Sequence, residues 1–228
     1  MKNACAATVI VALLATAALA DKKVDEAVAK AEEQLQKGKT DEALKTLQKA
    51  VSQQPTSAEA HLGLGRIQER IGGAENIEAA ATSVAKAVEL SPASAPVRAE
   101  ALVALASLDL LRGTGRDTLA HAQEAVSLQP SPGNLALLAR ARIRAQDLKG
   151  GLEAAERAVQ AGASGAAHEA RGEALLALRR TDEAVAAFRK ALLLRPVFPL
   201  ARNNLDAAQR QLDLKKSESE RQQAPAER

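Results

Sequence analysis

Small residues recur along this chain at nearly constant intervals, and that recurrence limits its folding options more than any other feature. The tripeptides Lys49-Ala50-Val51, Lys86-Ala87-Val88, Glu124-Ala125-Val126, Arg157-Ala158-Val159 and Lys190-Ala191-Leu192 place their alanines 37, 38, 33 and 33 residues apart. Seven residues before each alanine stands Ala43, Ala80, Thr118, Gly151 or Ala184. Five residues after four of them comes a proline, Pro55, Pro92, Pro130 or Pro196; the fourth copy has Ala163 there, inside Gly162-Ala163-Ser164-Gly165. A period of this size marks stacked supersecondary units, none of which buries its apolar face alone. Alanine makes up 53 of the 228 residues. It is the best helix former and a poor strand former, so the units are helical and a β-sandwich or barrel is excluded.

Two antiparallel helices approach closely only where the facing positions are small. A proline just beyond the last small contact cannot continue the helix and fixes the exit turn. Thr40-Asp41-Glu42 and Thr181-Asp182-Glu183 predict helix starts, with a threonine cap and acidic residues that complement the helix dipole.

These features resemble the tetratricopeptide repeat family, whose unit is a helix–turn–helix of 34 residues with small residues at positions 8, 20 and 27 and proline at 32. The matching residues are Ala31, Ala43, Ala50 and Pro55, then Gly65, Ala80, Ala87 and Pro92, then Ala106, Thr118, Ala125 and Pro130. The last two units offer Ala139, Gly151, Ala158 and Ala163, and Gly172, Ala184, Ala191 and Pro196. Departures concern the family's aromatics. Position 4 holds Ala27, His61, Leu102, Leu135 and His168, and only Phe188 keeps the aromatic at position 24. The resemblance implies an all-α, right-handed α-solenoid of about five helical hairpins over 24–57, 58–94, 99–131, 132–164 and 165–198. A capping helix over 200–213 would present Leu200, Leu205, Ala208 and Leu212 inward. The solenoid domain as a whole spans 21–213.

Two stretches exceed the family spacing. Ile71-Gly72-Gly73-Ala74-Glu75-Asn76 predicts a longer turn inside the second unit, and Ser94-Ala95-Pro96-Val97 a looser joint over 92–98, as a tolerated loop or a hinge. Residues 214–228 carry mixed charge and almost no large apolar side chain, which predicts a disordered tail.

The N-terminus has its own pattern. Met1-Lys2-Asn3 is a short positive start, residues 4–20 carry no charge, and Ala18-Leu19-Ala20 precedes the charged Asp21-Lys22-Lys23. This is the layout of a bacterial secretory signal peptide, so residues 1–20 are expected to be removed and the mature chain to be periplasmic or secreted. The alternative is an uncleaved inner-membrane anchor facing the periplasm; the run is short and rich in alanine for a span. Cys5 precedes the apolar run, which argues against lipid attachment at that residue.

Composition narrows the chemistry. Cys5 is the single cysteine, so no disulfide framework or thiolate metal site is expected. His61, His121 and His168 lack local metal-ligand spacing; His61 and His168 are expected to be neutral and at least half-buried between helices. Arg112-Gly113-Thr114-Gly115-Arg116-Asp117 lacks the lysine of a phosphate loop and is expected to be a turn. Formal charge is +3 and the aromatics are two phenylalanines, which leaves neither a strong phosphate field nor base-stacking groups. No enzyme activity, cofactor, metal or nucleic-acid partner is expected.

The resemblance also implies a concave surface lined by the first helix of each hairpin. The candidate partner-binding residues are Arg66 and Arg70, Ser107 and Leu111, Arg140 and Arg144, and Glu173, a basic and partly apolar middle with acidic margins. Each arginine pair is four residues apart and shares one helical face. Adjacent guanidinium groups favour an intervening anion, so the expected partner is another protein offering acidic segments. Lys and Asn, the family's carboxylate clamp at positions 5 and 9, are replaced by Val28 and Glu32 in the first unit. The expected role is a non-catalytic scaffold or adaptor of the bacterial cell envelope. The alternatives are a membrane-tethered assembly factor and an accessory subunit of a cell-wall or polysaccharide enzyme complex.

Overall fold

The computed structural model describes residues 22–113, 117–197 and 199–223. The expected signal peptide at 1–20, the middle of the glycine-rich 112–117 stretch, residue 198 and residues 224–228 lie outside the described residues. The architecture is all-α, a series of helical hairpins ending in a longer capping helix, in two compact units that divide at Gly115 and Arg116.

Unit 1 holds α1 (22–36), α2 (Thr40–Gln53), α3 (Ala58–Ile71), α4 (Ala74–Leu90) and α5 (Pro96–Arg112). From α2 onward each helix packs on its successor, and α3 also touches α5. Unit 2 holds α6 (Thr118–Leu128), α7 (Pro132–Arg144), α8 (Leu148–Ala161), α9 (Gly165–Ala177), α10 (Thr181–Leu194) and α11 (Pro199–Gln223), packed in the same serial order with α7 on α9 and α9 on α11. Neighbours in sequence are thus neighbours in space, as the period requires.

The recurring small residues form the seams. Ala31, Ala43, Ala80, Ala87, Ala106, Ala125, Ala139, Ala158, Ala184 and Ala191 are fully buried, and Ala50 and Thr118 nearly so. The reason is visible at the glycines. A Cβ added to Gly65 would lie 2.5 Å from Val84 Cγ2 and 3.1 Å from the Ala80 carbonyl oxygen, and one on Gly151 would lie 3.2 Å from the Ala139 carbonyl oxygen. At Gly172 the added carbon would strike the Phe188 ring at 2.5 Å. The missing aromatics are replaced by aliphatic residues: Leu102 and Leu135 are buried at their positions, and Leu47, Ile67, Leu108 and Leu175 fill the rest of the core.

Helix starts differ from the expected capping. Thr40 and Thr181 are first helical residues, and neither helix has a side-chain cap. The preceding Lys39 and Arg180 occupy the cap positions and reach forward instead, to Glu42 at 3.0 Å and to Glu183 at 2.6 Å. Side-chain caps sit elsewhere: Ser57, Ser131 and Ser164 accept from the N–H of Ala60, Asn134 and Ala167, and Asp147 from that of Gly150. The turns before α2, α8 and α10 share one geometry. Gly38, Gln146 and Arg179 are left-handed, with φ of 73°, 64° and 61°. The residue after each donates its N–H back to Gln34, Arg142 or Leu175, five residues earlier, closing a Schellman turn.

The first insertion lengthens a helix, and the second divides between the connection 91–95 and the start of α5. The turn after α3 is only Gly72-Gly73, while α4 and α5 run to 17 residues each, against 11 to 14 for α2, α3 and α6 to α10. Pro96 begins α5, where its missing N–H costs nothing. The expected loose joint is tied down, because Arg98 donates to the Val88 carbonyl at 2.9 Å. Within α4, Glu78 takes two hydrogen bonds from Arg112 at the end of α5.

The last helix departs from expectation at both ends. Ala201, Ala208 and Leu212 are buried and Leu205 is packed against the unit 2 core, but Leu200 is 47% exposed. Ala201 rather than Leu200 is in register with 205, 208 and 212 on the inner face. Residues 214–223, expected to be disordered, are helical. Extending a formed helix avoids the nucleation cost, and Lys, Glu, Arg and Gln are good helix formers.

Candidate functional site

The predicted partner-binding residues fall in two groups. Arg66 and Arg70 stand on α3 and Ser107 and Leu111 on α5, in unit 1; Arg140 and Arg144 stand on α7 and Glu173 on α9, in unit 2. Within each unit the arginines meet carboxylates from a neighbouring first helix. Arg66 Nη2 lies 2.6 Å from Glu100 Oε2 across α3 and α5, and Arg70 lies 3.9 Å from Glu32 on α1. Arg140 donates to Glu173 at 3.0 Å through Nε, and through Nη2 to Glu169, whose side chain is fully buried. Arg144 is exposed at the end of α7. Ser107 donates to the Val103 carbonyl within its own helix, and Leu111 is 66% exposed.

The expected basic middle is therefore largely neutralised by the protein itself. Glu100 lies 34 residues after Arg66 and Glu173 lies 33 after Arg140, so these pairs repeat with the period of the fold. That spacing was available in the sequence as a signal and was missed, along with Glu169.

Unit 1 also has a hollow of about 390 Å³ where α1, α3 and α5 face one another. Val28, Leu62 and Val97 give it an apolar wall; Asp25, Glu59 and Glu100 supply three carboxylates against the single guanidinium of Arg66. The hollow can seat an apolar side chain and favours a cation beside it.

The histidines are structural. His61 Nε2 sits 3.1 Å from the Pro55 carbonyl oxygen, and His121 is half-buried on α6. His168 is buried, and burial, with Lys190 and Arg171 nearby, holds its pKa below the ordinary 6.5. A histidine depressed by folding gives up no stability above its unfolded pKa, and costs stability as pH falls from there through the folded value. His168→Leu, which copies Leu102 and Leu135 at the equivalent positions, should flatten the loss of urea stability as pH falls below about 6.5. Parallel pH profiles for the two proteins would contradict this. Among the described residues no group of three or more His, Cys, Asp or Glu is placed to hold a metal ion. No described helix is long and apolar enough to cross a membrane.

Comparison with known proteins agrees with this geometry. Residues 32–72 match the family TPR repeat, and residues 137–197 match Tetratricopeptide repeat. These two segments of the chain are thus similar to the tetratricopeptide repeat. No curated protein sequence matches it. Among solved structures, MamA from Desulfovibrio magneticus RS-1, residues 41 to the end, is 19% identical with a TM-score of 0.62, over 76% of this chain and 96% of that one. A thermophilic TPR protein of Thermus thermophilus is 20% identical at 0.59, covering 81% and 98%. YrrB, described as a TPR protein with an unusual peptide-binding site, is 18% identical at 0.58, covering 82% and 95%. At these identities the likeness establishes the fold.

Proposed function

We propose that this non-catalytic interaction module holds a segment of another protein on the first-helix face of unit 1. An apolar side chain sits against Val28, Leu62 and Val97, and a cationic group sits beside Asp25, Glu59 and Glu100. The observation that carries the reading is the hollow itself, formed by α1, α3 and α5 with its apolar wall and excess of carboxylates. The likeness to a fold that includes a described peptide-binding protein supports it. A preformed site lowers the ordering cost on the protein's side. The proposal replaces the acidic partner expected from the arginines, because Arg66 already spends its charge on Glu100.

Selection of random peptides on the full chain tests it. The enriched peptides should pair a large apolar residue with Lys or Arg. The surface charge reversals Asp25→Lys and Glu59→Lys together should weaken them at least tenfold, with only the small loss of melting temperature that reversing a first-turn carboxylate of α3 entails. Enrichment of acidic peptides, or indifference to the reversals, would overturn it. Envelope location remains part of the proposal, supported by the residue pattern of Met1–Lys23 alone. Mass spectrometry of the mature N-terminus distinguishes a cleaved chain beginning at Asp21 from an anchored one.

A further inference from the structure

Most large apolar side chains that unit 2 leaves in water lie at one corner. Leu193 is 82% exposed, Leu194 52%, Val197 84% and Leu200 47%, where the end of α10 meets the start of α11. Exposure this complete means that the side chains project outward and do not line a groove. The charges carried by this segment of the chain have one sign. Residues 184–205 contain Arg189, Lys190, Arg195 and Arg202, all exposed, and no Asp or Glu. Arg189 lies one helical turn before Leu193 and Lys190 one turn before Leu194, so each cation shares a face with an apolar side chain. Arg189 is also steadied by a hydrogen bond to Gln209 of α11.

We infer that this corner docks on an anionic lipid surface, with Leu193, Val197 and Leu200 entering the headgroup–acyl boundary and the cations contacting lipid phosphates. Size and shape choose this occupant over a protein. The patch is on the order of 400 Å², the size of the largest apolar patch on a typical monomer, which is often functional, and about half of what each partner buries in a stable protein interface. A projecting apolar knob with a basic collar suits a fluid, negatively charged interface, where partial insertion and electrostatic attraction act together. This surface is separate from the hollow in unit 1, and its test does not depend on that reading.

The test uses the full chain with Cys5→Ser and Val197→Cys, labelled at position 197 with a polarity-sensitive fluorophore, and vesicles of phosphatidylglycerol or of phosphatidylcholine. The probe reports position 197, and phosphatidylcholine vesicles control for tethering by the uncharged stretch 4–20. Phosphatidylglycerol vesicles should shift its emission to the blue, phosphatidylcholine vesicles should not, and 0.5 M salt should reverse the shift. The same label placed through Gln160→Cys, on exposed α8, should stay unchanged. In unlabelled protein, Leu193→Asp with Val197→Asp should lower phosphatidylglycerol binding at least tenfold relative to Leu111→Asp with unchanged melting, since those side chains are solvent-exposed. No shift at 197, an equal shift on both lipids, or equal binding by the double variant would overturn the inference. So would a concentration-dependent dimer, or an acidic peptide, that protects position 197 while phosphatidylglycerol vesicles do not.

Discussion

Phe188→Ala is expected to destabilise the protein by about 3–5 kcal/mol, the cost of emptying a fully enclosed aromatic site. Phe188 is fully buried in a cluster with Leu152, Leu175, Val185 and Ala208, so α8, α9, α10 and α11 all contribute walls to the vacated space. In a unit of this size the loss lowers the melting temperature by roughly 12–20 °C. A second substitution separates cavity formation from general damage. Gly172 is held at glycine by the Phe188 ring, so Gly172→Leu alone should also destabilise. Combined with Phe188→Ala, the new side chain enters the vacated volume and the pair should be more stable than Phe188→Ala alone. A Phe188→Ala cost under about 1 kcal/mol, or strictly additive effects in the pair, would show that the α9–α10 crossing is not set by this contact.

Arg140→Ala should be comparably severe, at about 3–5 kcal/mol, because it strands a buried carboxylate. Glu169 is fully buried with Arg140 as its hydrogen-bonding cation, and its Oε1 atom has no hydrogen-bond partner. Ala at 140 leaves both oxygens without a countercharge inside unit 2. The pair itself contributes far less than its rupture costs, since Glu169 lost all of its hydration on folding and Arg140 most of its own. Arg140→Met with Glu169→Leu should therefore lie close to the wild type in denaturant titrations. A double-mutant cycle showing no coupling between the two positions would refute the assignment.

Much of the fold is legible in the residues because its strongest constraint is local and repeated. Where two backbones nearly touch, as at Gly65 against Ala80 or Gly151 against Ala139, no larger residue fits, and the chain must advertise each crossing. The misread features share the opposite property. Extra residues at 71–76 and 94–97 look like loop in a periodic reading. In the structure residues 74–76 join α4 and residues 96–97 join α5, where continuing helical hydrogen bonds offset the cost of ordering them, while 94–95 stay in the connection. The threonine caps fail by a single position, because Schellman turns place Lys39 and Arg180 at the cap and push the threonines into the first turn.

The candidate site is less legible for a related reason. Arg66 and Arg70 do share a face, but what neutralises them comes from other helices, and the facing residue depends on axial register as well as sequence distance. Glu169 was hidden for the same reason, since a carboxylate at that position reads as solvated until α7 is placed beside α9. The hollow in unit 1 requires three helices at once, so its lining residues are scattered from Asp25 to Glu100.

The corner shared by the turns at Gly38, Gln146 and Arg179 has a consequence for how such a chain grows. Three unrelated side chains occupy one backbone shape, so the joint between paired rods is standard joinery that tolerates different residues. A gene segment copied in tandem brings its own bend with it, and the lengthening polypeptide has no new connection to invent.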